Sequence, residues 1–494
     1  MRKSQLFKNS TYSMMQTVAM SLAALVLFKM MVSYANLQET GLWSFLSSIT
    51  TITGFGSFGF ANALLYYIPQ YKASQTESLK LNRLVNTGLY AVAGTTLALC
   101  TAAFLIFHFV IPFTVEPNLV NKGLSMLPWV ITSFFFSGLS AAFYSVLDGL
   151  QLTHIRARIQ IIGSLLFVVL GWWFLRKWGI AGMPLAQLFQ QLFLFACGFV
   201  LVRRHLPEYK PAWLVDKGIL SSIFRYGFNF QVISITQIVS DPFMKSMLTR
   251  FAGSRYTALF DFSVRLLSFI RVLLISANQT LVPKVTEFKT LRQSSRIVTY
   301  YKANFRVISL LSVLLFLFPV AISDSISRFF LNERSNDFNF ILLQVSIGLM
   351  VNALAFPAHF HYMGTGQLRW NVLNNLIAAT LIIVLTPLLG KTLGGSYMVL
   401  SWSLAAITGS WVLLMAFKRE NGISLRPFID RQLLMLLTGM ILATMINRYL
   451  MSTYFEKLHP LLGIAVSLAV LALSIAYPVS SSRSIRKMWK KLLR

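Results

Sequence analysis

Fourteen long apolar runs constrain this chain more than any other feature. They lie near 10–32, 41–68, 86–111, 125–147, 159–175, 180–202, 227–249, 256–281, 307–323, 339–360, 371–389, 395–416, 432–447 and 460–478. About 20 apolar residues in a helix cross the roughly 30 Å hydrocarbon core of a bilayer, so each run is the size of a span. Barrel strands would instead be alternating segments of about ten residues. Composition agrees: 56% of the 494 residues are hydrophobic and 12% are charged, where soluble domains carry about 25% charged residues. With a mean hydropathy of +0.65, a soluble enzyme is excluded. The 14% aromatic content excludes disorder. The predicted fold class is an all-α polytopic membrane protein. The second, seventh and eighth runs are its most polar spans. Cys100 and Cys197 both lie within apolar runs, so no disulfide framework or cysteine-based metal site is expected. The basic start, Met1-Arg2-Lys3, leads into a run long enough to span and lacking a small-residue cleavage site.

The net charge of +29 follows the topology. With a cytoplasmic N-terminus, 30 of the 44 Lys and Arg fall in cytoplasmic segments, 10 in external segments and 4 within spans. That bias in short loops sets orientation in membrane proteins. It predicts an even number of spans and two cytoplasmic termini. No separate basic domain is left to bind nucleic acid.

The chain also resembles itself. Tyr66-Tyr67-Ile68-Pro69-Gln70 ends the second run and Thr280-Leu281-Val282-Pro283-Lys284 ends the eighth, with their prolines 214 positions apart (283 − 69). Gly149-Leu150-Gln151-Leu152 and Gly366-Gln367-Leu368 follow runs four and ten, 216 apart (367 − 151). Ala181-Gly182 and Gly394-Gly395 open runs six and twelve, 213 apart (394 − 181). These matches predict two pseudo-symmetric six-helix lobes, 1–202 and 227–416, joined by a basic cytoplasmic linker at 203–226. Because six is even, the repeat is parallel, an arrangement that suits rocking of two bundles about a central cavity. An appended helix pair occupies 417–478. In the tail 479–494, Arg483, Arg486, Lys487, Lys490, Lys491 and Arg494 form one helical face, and Ile485, Met488, Trp489 and Leu492 form another. Such a helix lies on anionic lipid.

Gly54-Phe55-Gly56-Ser57-Phe58-Gly59 matches G-x-G-x-x-G but lacks the strand, helix and acidic residue of a dinucleotide site. Gly54, Gly56 and Gly59 are better read as a thin, bendable helix face. His359 and His361 are two apart, on divergent helix faces, so a shared metal is not expected. No catalytic triad or carboxylate pair stands out, and neither enzyme activity nor a cofactor is expected.

Charges inside spans are costly and usually face a cavity or a partner. They are Lys29 in span one, Asp241 and Lys245 in span seven, and Asp261, Arg265 and Arg271 in span eight. Asp241–Lys245 and Asp261–Arg265 are i, i+4 pairs that can neutralise each other. Arg271 has no carboxylate one turn away, which makes it the leading candidate for a cavity cation. Lys29, near the external end, can also snorkel. Pro242 and Pro357 predict kinks, and Pro242 beside Asp241 is a candidate hinge.

These residues resemble the polysaccharide flippases of the O-antigen transporter type, within the multidrug/oligosaccharidyl-lipid/polysaccharide exporter (MOP) superfamily. The resemblance rests on Gly56-Ser57-Phe58-Gly59-Phe60-Ala61-Asn62-Ala63-Leu64 running to Tyr71, on Asp241 to Pro283 with Phe251-Ala252-Gly253 and Arg265, and on Trp178-Gly179-Ile180-Ala181-Gly182. It implies transfer of an undecaprenyl-diphosphate-linked oligosaccharide from the cytoplasmic to the external leaflet of the bacterial inner membrane. The implied partners are that substrate, membrane lipids and the polysaccharide polymerase machinery. Lys29, Lys245, Arg265 and Arg271 would receive the headgroup, and Asp241 or Asp261 would couple to an ion gradient. The rival readings are a cation-coupled multidrug exporter and a peptidoglycan-precursor flippase. Four cations against two acids in the spans disfavour the first. A membrane glycosyltransferase would need a larger external segment than 324–338.

Overall fold

A computed structural model describes residues 3–51, 78–207, 209–212, 215–279, 281–291, 293–422 and 431–453, with 63–64, 67–68, 466 and 469 beside them. The described residues form helices and connecting turns, with no strand among them. Gly54, Gly56, Gly59, Pro69, the fourteenth run apart from 466 and 469, and the basic tail lie outside these residues. The chain divides into two compact units, Met1–Ala258 and Leu259–Arg494. That division falls downstream of the 203–226 linker, within the eighth run.

The first unit contains α1 (Lys3–Tyr34), α2 (Leu37–Thr51), α3 (Ser78–Thr114), α4 (Pro117–Gly149), α5 (Thr153–Trp178), α6 (Gly182–His205) and α7 (Lys217–Ala252). Helix α8 (Ser254–Gln279) begins in this unit and continues into the second. The second unit adds α9 (Leu281–Thr290), α10 (Ser294–Ala321), α11 (Ser323–Leu331) and α12 (Asn336–Leu354). It ends with α13 (Phe356–Thr365), α14 (Arg369–Thr392), α15 (Val399–Asn421) and α16 (Arg431–Thr453). Nine stretches among the described residues are long and apolar enough to cross a membrane, and one of them, Thr153–His205, holds both α5 and α6. Helices α7 and α8 are not among the nine because they carry the charges of the seventh and eighth runs. Helix α2 has only 15 described residues. The expected external segment 324–338 largely folds as α11.

Packing repeats between the units when each is taken by itself. In the first, α3 lies on α4, α4 on α6 and α5 on α6. In the second, α10 lies on α12, α12 on α15 and α14 on α15. Helix α7 packs on α2 and α3 of the first unit. Lipid tails are as apolar as leucine, so helices in a bilayer gain little from hydrophobic burial and adhere through close packing and polar contacts. The α12–α15 seam shows both. Ser403 donates to the Gln344 carbonyl at 2.7 Å, Gln344 Nε2 to the Ser396 carbonyl at 3.1 Å and Asn352 Nδ2 to Ser410 Oγ at 3.0 Å. Gly348 sits where a Cβ would meet Ser403 Cα at 3.1 Å.

The turns repeat as well. Gln151 ends α4 with φ +64° and Gly366 ends α13 with φ +75°. Gly179 precedes the short 3-10 turn before α6 with φ +58°, and Gly394 precedes the one before α15 with φ +63°. Both pairs lie 215 positions apart (366 − 151 and 394 − 179). The sequence-stretch pairing of Gln151 with Gln367 is therefore one position off: left-handed backbone matches Gln151 to Gly366.

Between α6 and α7 the chain is held to the start of α3. Asn86 Nδ2 donates to the Lys210 carbonyl at 2.9 Å, and the Ala212 N–H donates to Asn86 Oδ1 at 3.2 Å. Asn82 Oδ1 accepts from the Lys210 N–H and Thr87 Oγ1 from the Asp216 N–H, each at 3.0 Å. Asp216 then caps α7, accepting from the Gly218 and Ile219 N–H groups. Such side-chain caps satisfy N–H groups that the helix itself cannot.

Candidate functional site

Helix α8 carries the highest density of charge within an apolar run. Asp261 is 4% exposed and its Oδ2 accepts from Arg265 Nε at 2.6 Å. The i, i+4 spacing brings the two together on one face, as the sequence predicts. Arg271 lies six residues further on, about 120° round the helix. Its Nε is buried and has no hydrogen-bond partner among the described residues. Among the described residues no carboxylate forms an ion pair with it. Charged groups at a span centre cost roughly 2.5–3.5 kcal/mol on insertion scales. A donor left without an acceptor adds to that cost.

An electrostatic neighbour of Arg271 comes from far along the chain. The twelfth helix stops at Leu354, Ala355 caps it, and α13 restarts at Phe356 with Pro357 in its first turn. Proline suits that position because the first-turn N–H groups have no helical partner. The expected kink in the 339–360 run is thus a break between two helices. After the break, His359 lies within the field of the Arg271 guanidinium. Asn371 Nδ2 donates to the His359 carbonyl at 3.2 Å. His361 points elsewhere, packed edge-on to Phe417 with ring centroids 4.8 Å apart. The two histidines therefore take different faces, as their spacing predicts. Sequence reasoning did not connect His359 to Arg271. Pro357 signalled a bend, but nothing local says what the next turn would meet.

Asp241 and Lys245 form the second i, i+4 pair, with Nζ and Oδ2 3.2 Å apart. Lys245 is 5% exposed, whereas the Asp241 side chain is about one-third exposed. Pro242 is buried inside α7, and the helix continues past it to Ala252. Lys29 is half-buried in α1 and engaged within the protein. Lys29, Asp241 and Lys245 belong to the first unit, and Asp261, Arg265 and Arg271 to the second. Among the described residues, no group of three His, Cys, Asp or Glu is placed to hold a metal ion.

The corner from α7 to α8 is tightly fixed within the first unit. Glu116 Oε1 accepts from the Ser254 N–H at 2.7 Å, and its Oε2 accepts from Ser254 Oγ at 2.5 Å. A Cβ on Gly41 would stand 1.7 Å from the Ser254 carbonyl oxygen, so only glycine allows α2 this approach.

Comparison with known proteins places this architecture. In sequence, the chain is 22% identical over 251 residues to the uncharacterized membrane protein MJ1068 of Methanocaldococcus jannaschii. It spans about half the length of that curated relative, 48%, and the match takes in 47% of this chain. In structure, it resembles the lipid II flippase MurJ in an inward-closed conformation, with a TM-score of 0.70 at 15% identity over 98% of this chain and 99% of that one. It also resembles an inward-facing multidrug resistance MATE family transporter of the MOP superfamily, with a TM-score of 0.63 at 14% identity over 81% of this chain and 98% of that one. A MOP superfamily transporter from Pyrococcus furiosus gives 0.54 at 12% identity over 85% and 95%. Likeness at these identities concerns the fold. The family model described as polysaccharide biosynthesis protein matches residues 6–289, more than half of the sequence. The chain has the helical fold of the MOP transporters and belongs to the polysaccharide biosynthesis protein family.

Proposed function

We propose that the protein is a flippase that carries a lipid-linked oligosaccharide, on an undecaprenyl-diphosphate-type carrier, from the cytoplasmic to the external leaflet by alternating access. Its place is the bacterial inner membrane, with both termini cytoplasmic. A polysaccharide polymerase is the partner that would receive its product. Membership of a polysaccharide biosynthesis family supports the cargo class. The observation that carries the mechanism is Arg271, a cation in an apolar run whose buried Nε has no acceptor among the described residues. Sugar and diphosphate cannot cross hydrocarbon without a polar path. The planar guanidinium forks onto phosphate oxygens with two parallel bonds. In this reading Arg271 binds the diphosphate and His359 lies alongside, while Lys29, Lys245 and Arg265 add positive potential. The lipid tail stays in the bilayer.

The likeness to MurJ keeps a second cargo in view, because lipid II presents the same diphosphate chemistry. A cationic drug is less well suited. Asp241 and Asp261, the acids of α7 and α8 within their apolar runs, are each paired with a basic residue. The test is a leaflet-resolved assay in liposomes, run in parallel with lipid-linked oligosaccharide, lipid II and a cationic dye. Oligosaccharide transfer should be fastest. Arg271→Ala should lower it by about a hundredfold, the effect of removing one charge-assisted contact of roughly 3 kcal/mol. Arg271→Lys should retain part of the activity, since charge survives without the fork. Transfer by Arg271→Ala at the parental rate would remove Arg271 from the site. Transport of the dye alone would remove the flippase reading.

A further inference from the structure

At one end of the second unit, the last turn of α10, the start of α11, the first two turns of α12 and the last turns of α16 enclose a cavity of about 470 Å³. Its two ends differ in chemistry. Leu317, Leu343 and Met440 line an apolar part, and Ser323, Asn336, Asn339, Thr444 and Arg448 supply polar groups. Three of the contributing helices lie in stretches apolar enough to cross a membrane. Beside the cavity, Ile441 and Met445 of α16 are 55% and 64% exposed. The opening is therefore continuous with an apolar helix surface.

Asn339 gives the polar end a defined demand. Asp324, whose side chain is fully buried, receives Arg334 Nε at 3.2 Å and Nη2 at 3.3 Å. Asn339 Nδ2 also donates to Asp324, at 2.5 Å. An ionised carboxylate only accepts, so it fixes which way the Asn339 amide is turned. Asn339 Oδ1 must then face away from Asp324. It is buried and has no partner among the described residues, in a residue only 4% exposed that lines the cavity. A buried acceptor of this kind calls for a hydroxyl or ammonium donor. Arg448 stands at the same end, exposed, and forms no ion pair among the described residues. It calls for an anion.

We propose that this cavity binds a membrane glycerophospholipid whose headgroup carries both a phosphate and a hydrogen-bond donor. The phosphate meets Arg448, a headgroup hydroxyl or ammonium meets Asn339 Oδ1, and the upper acyl chain lies along Leu317, Leu343 and Met440. The site is distinct from Arg271 and needs no transported cargo.

Native mass spectrometry of the protein from mixed-lipid nanodiscs tests this. Phosphatidylglycerol and phosphatidylethanolamine should be retained over phosphatidylcholine, which has a phosphate but no headgroup donor. Arg448→Gln should weaken phosphatidylglycerol retention about tenfold, the loss expected for one charge-assisted bond. Thr444→Phe, which fills the mouth, should abolish the preference while unfolding at the parental temperature in phosphatidylcholine alone. Arg271→Ala should leave the preference intact, separating this site from the transport site. Equal retention of all three lipids by the parent overturns the proposal, as does phosphatidylglycerol retention by Arg448→Gln at the parental level. The second result decides the matter even where Thr444→Phe fails to fold.

Discussion

Lys245 shows what an intramembrane charge requires of its neighbours. It is nearly enclosed, and Asp241 one turn earlier meets it at 3.2 Å. Breaking a fully buried pair by removing one partner costs about 3–5 kcal/mol, chiefly because the other charge stays buried. Asp241 is about one-third exposed, so solvent reduces that cost. Asp241→Asn should destabilise the protein by about 1–3 kcal/mol. Adding Lys245→Met should recover most of the loss, read as unfolding temperature in detergent. A double variant no more stable than Asp241→Asn would mean that the pair is not the source. This pairing was legible in the sequence because it depends only on helical periodicity. The environment of Arg271 was legible by half: the lack of an acid one turn away could be read directly. The approach of His359 could not, because it depends on how α13 leaves α12.

Elements follow their sequences closely where they are long and apolar, and diverge where a polar or kinked segment leaves the choice to tertiary contacts. The run at 339–360 reads as one span, but Pro357 opens a new helix, and α12 and α13 are separate. The basic stretch between α6 and α7 reads as a linker. Its composition does not reveal that Asn82, Asn86 and Thr87 of α3 hold its backbone. Asn86 is almost completely buried and satisfies two backbone groups of that stretch. Removing a partner of buried polar groups costs roughly 1–3 kcal/mol. Asn86→Ala should therefore speed amide exchange at Ala212 by at least tenfold relative to α5, while exchange in α14 stays unchanged. Equal protection in parent and variant would show that the stretch is held by other contacts.

For the whole molecule, two kinds of regularity were readable before any geometry, and both concern the membrane rather than the site. One is the spacing of turns. Side chains drift between repeats, but a left-handed turn constrains backbone and residue choice together. That is why Gly366 and Gly394 stand at one offset from Gln151 and Gly179, while the weaker side-chain matches scatter between 213 and 216. The other is charge. Lys and Arg near span ends are hard to translocate, so their distribution fixes orientation. The nine stretches that qualify among the described residues do not by themselves fix the total, because the polar runs and the fourteenth run lie outside them. The 30-to-10 bias supplies an independent constraint. It is greatest with an even number of spans and a cytoplasmic N-terminus, since the six basic residues of 479–494 then join the cytoplasmic set. Reporter fusions at Lys8, Lys217 and Arg494 should accordingly all read cytoplasmic. An external reading at Lys217 would break the six-helix repeat, because an odd number of crossings between Lys8 and Lys217 would invert the second lobe. With Lys8 and Lys217 cytoplasmic, an external reading at Arg494 would instead leave the lobes parallel and remove one of the last spans. The parallel arrangement thus depends on the middle reporter, and the count of fourteen on the last.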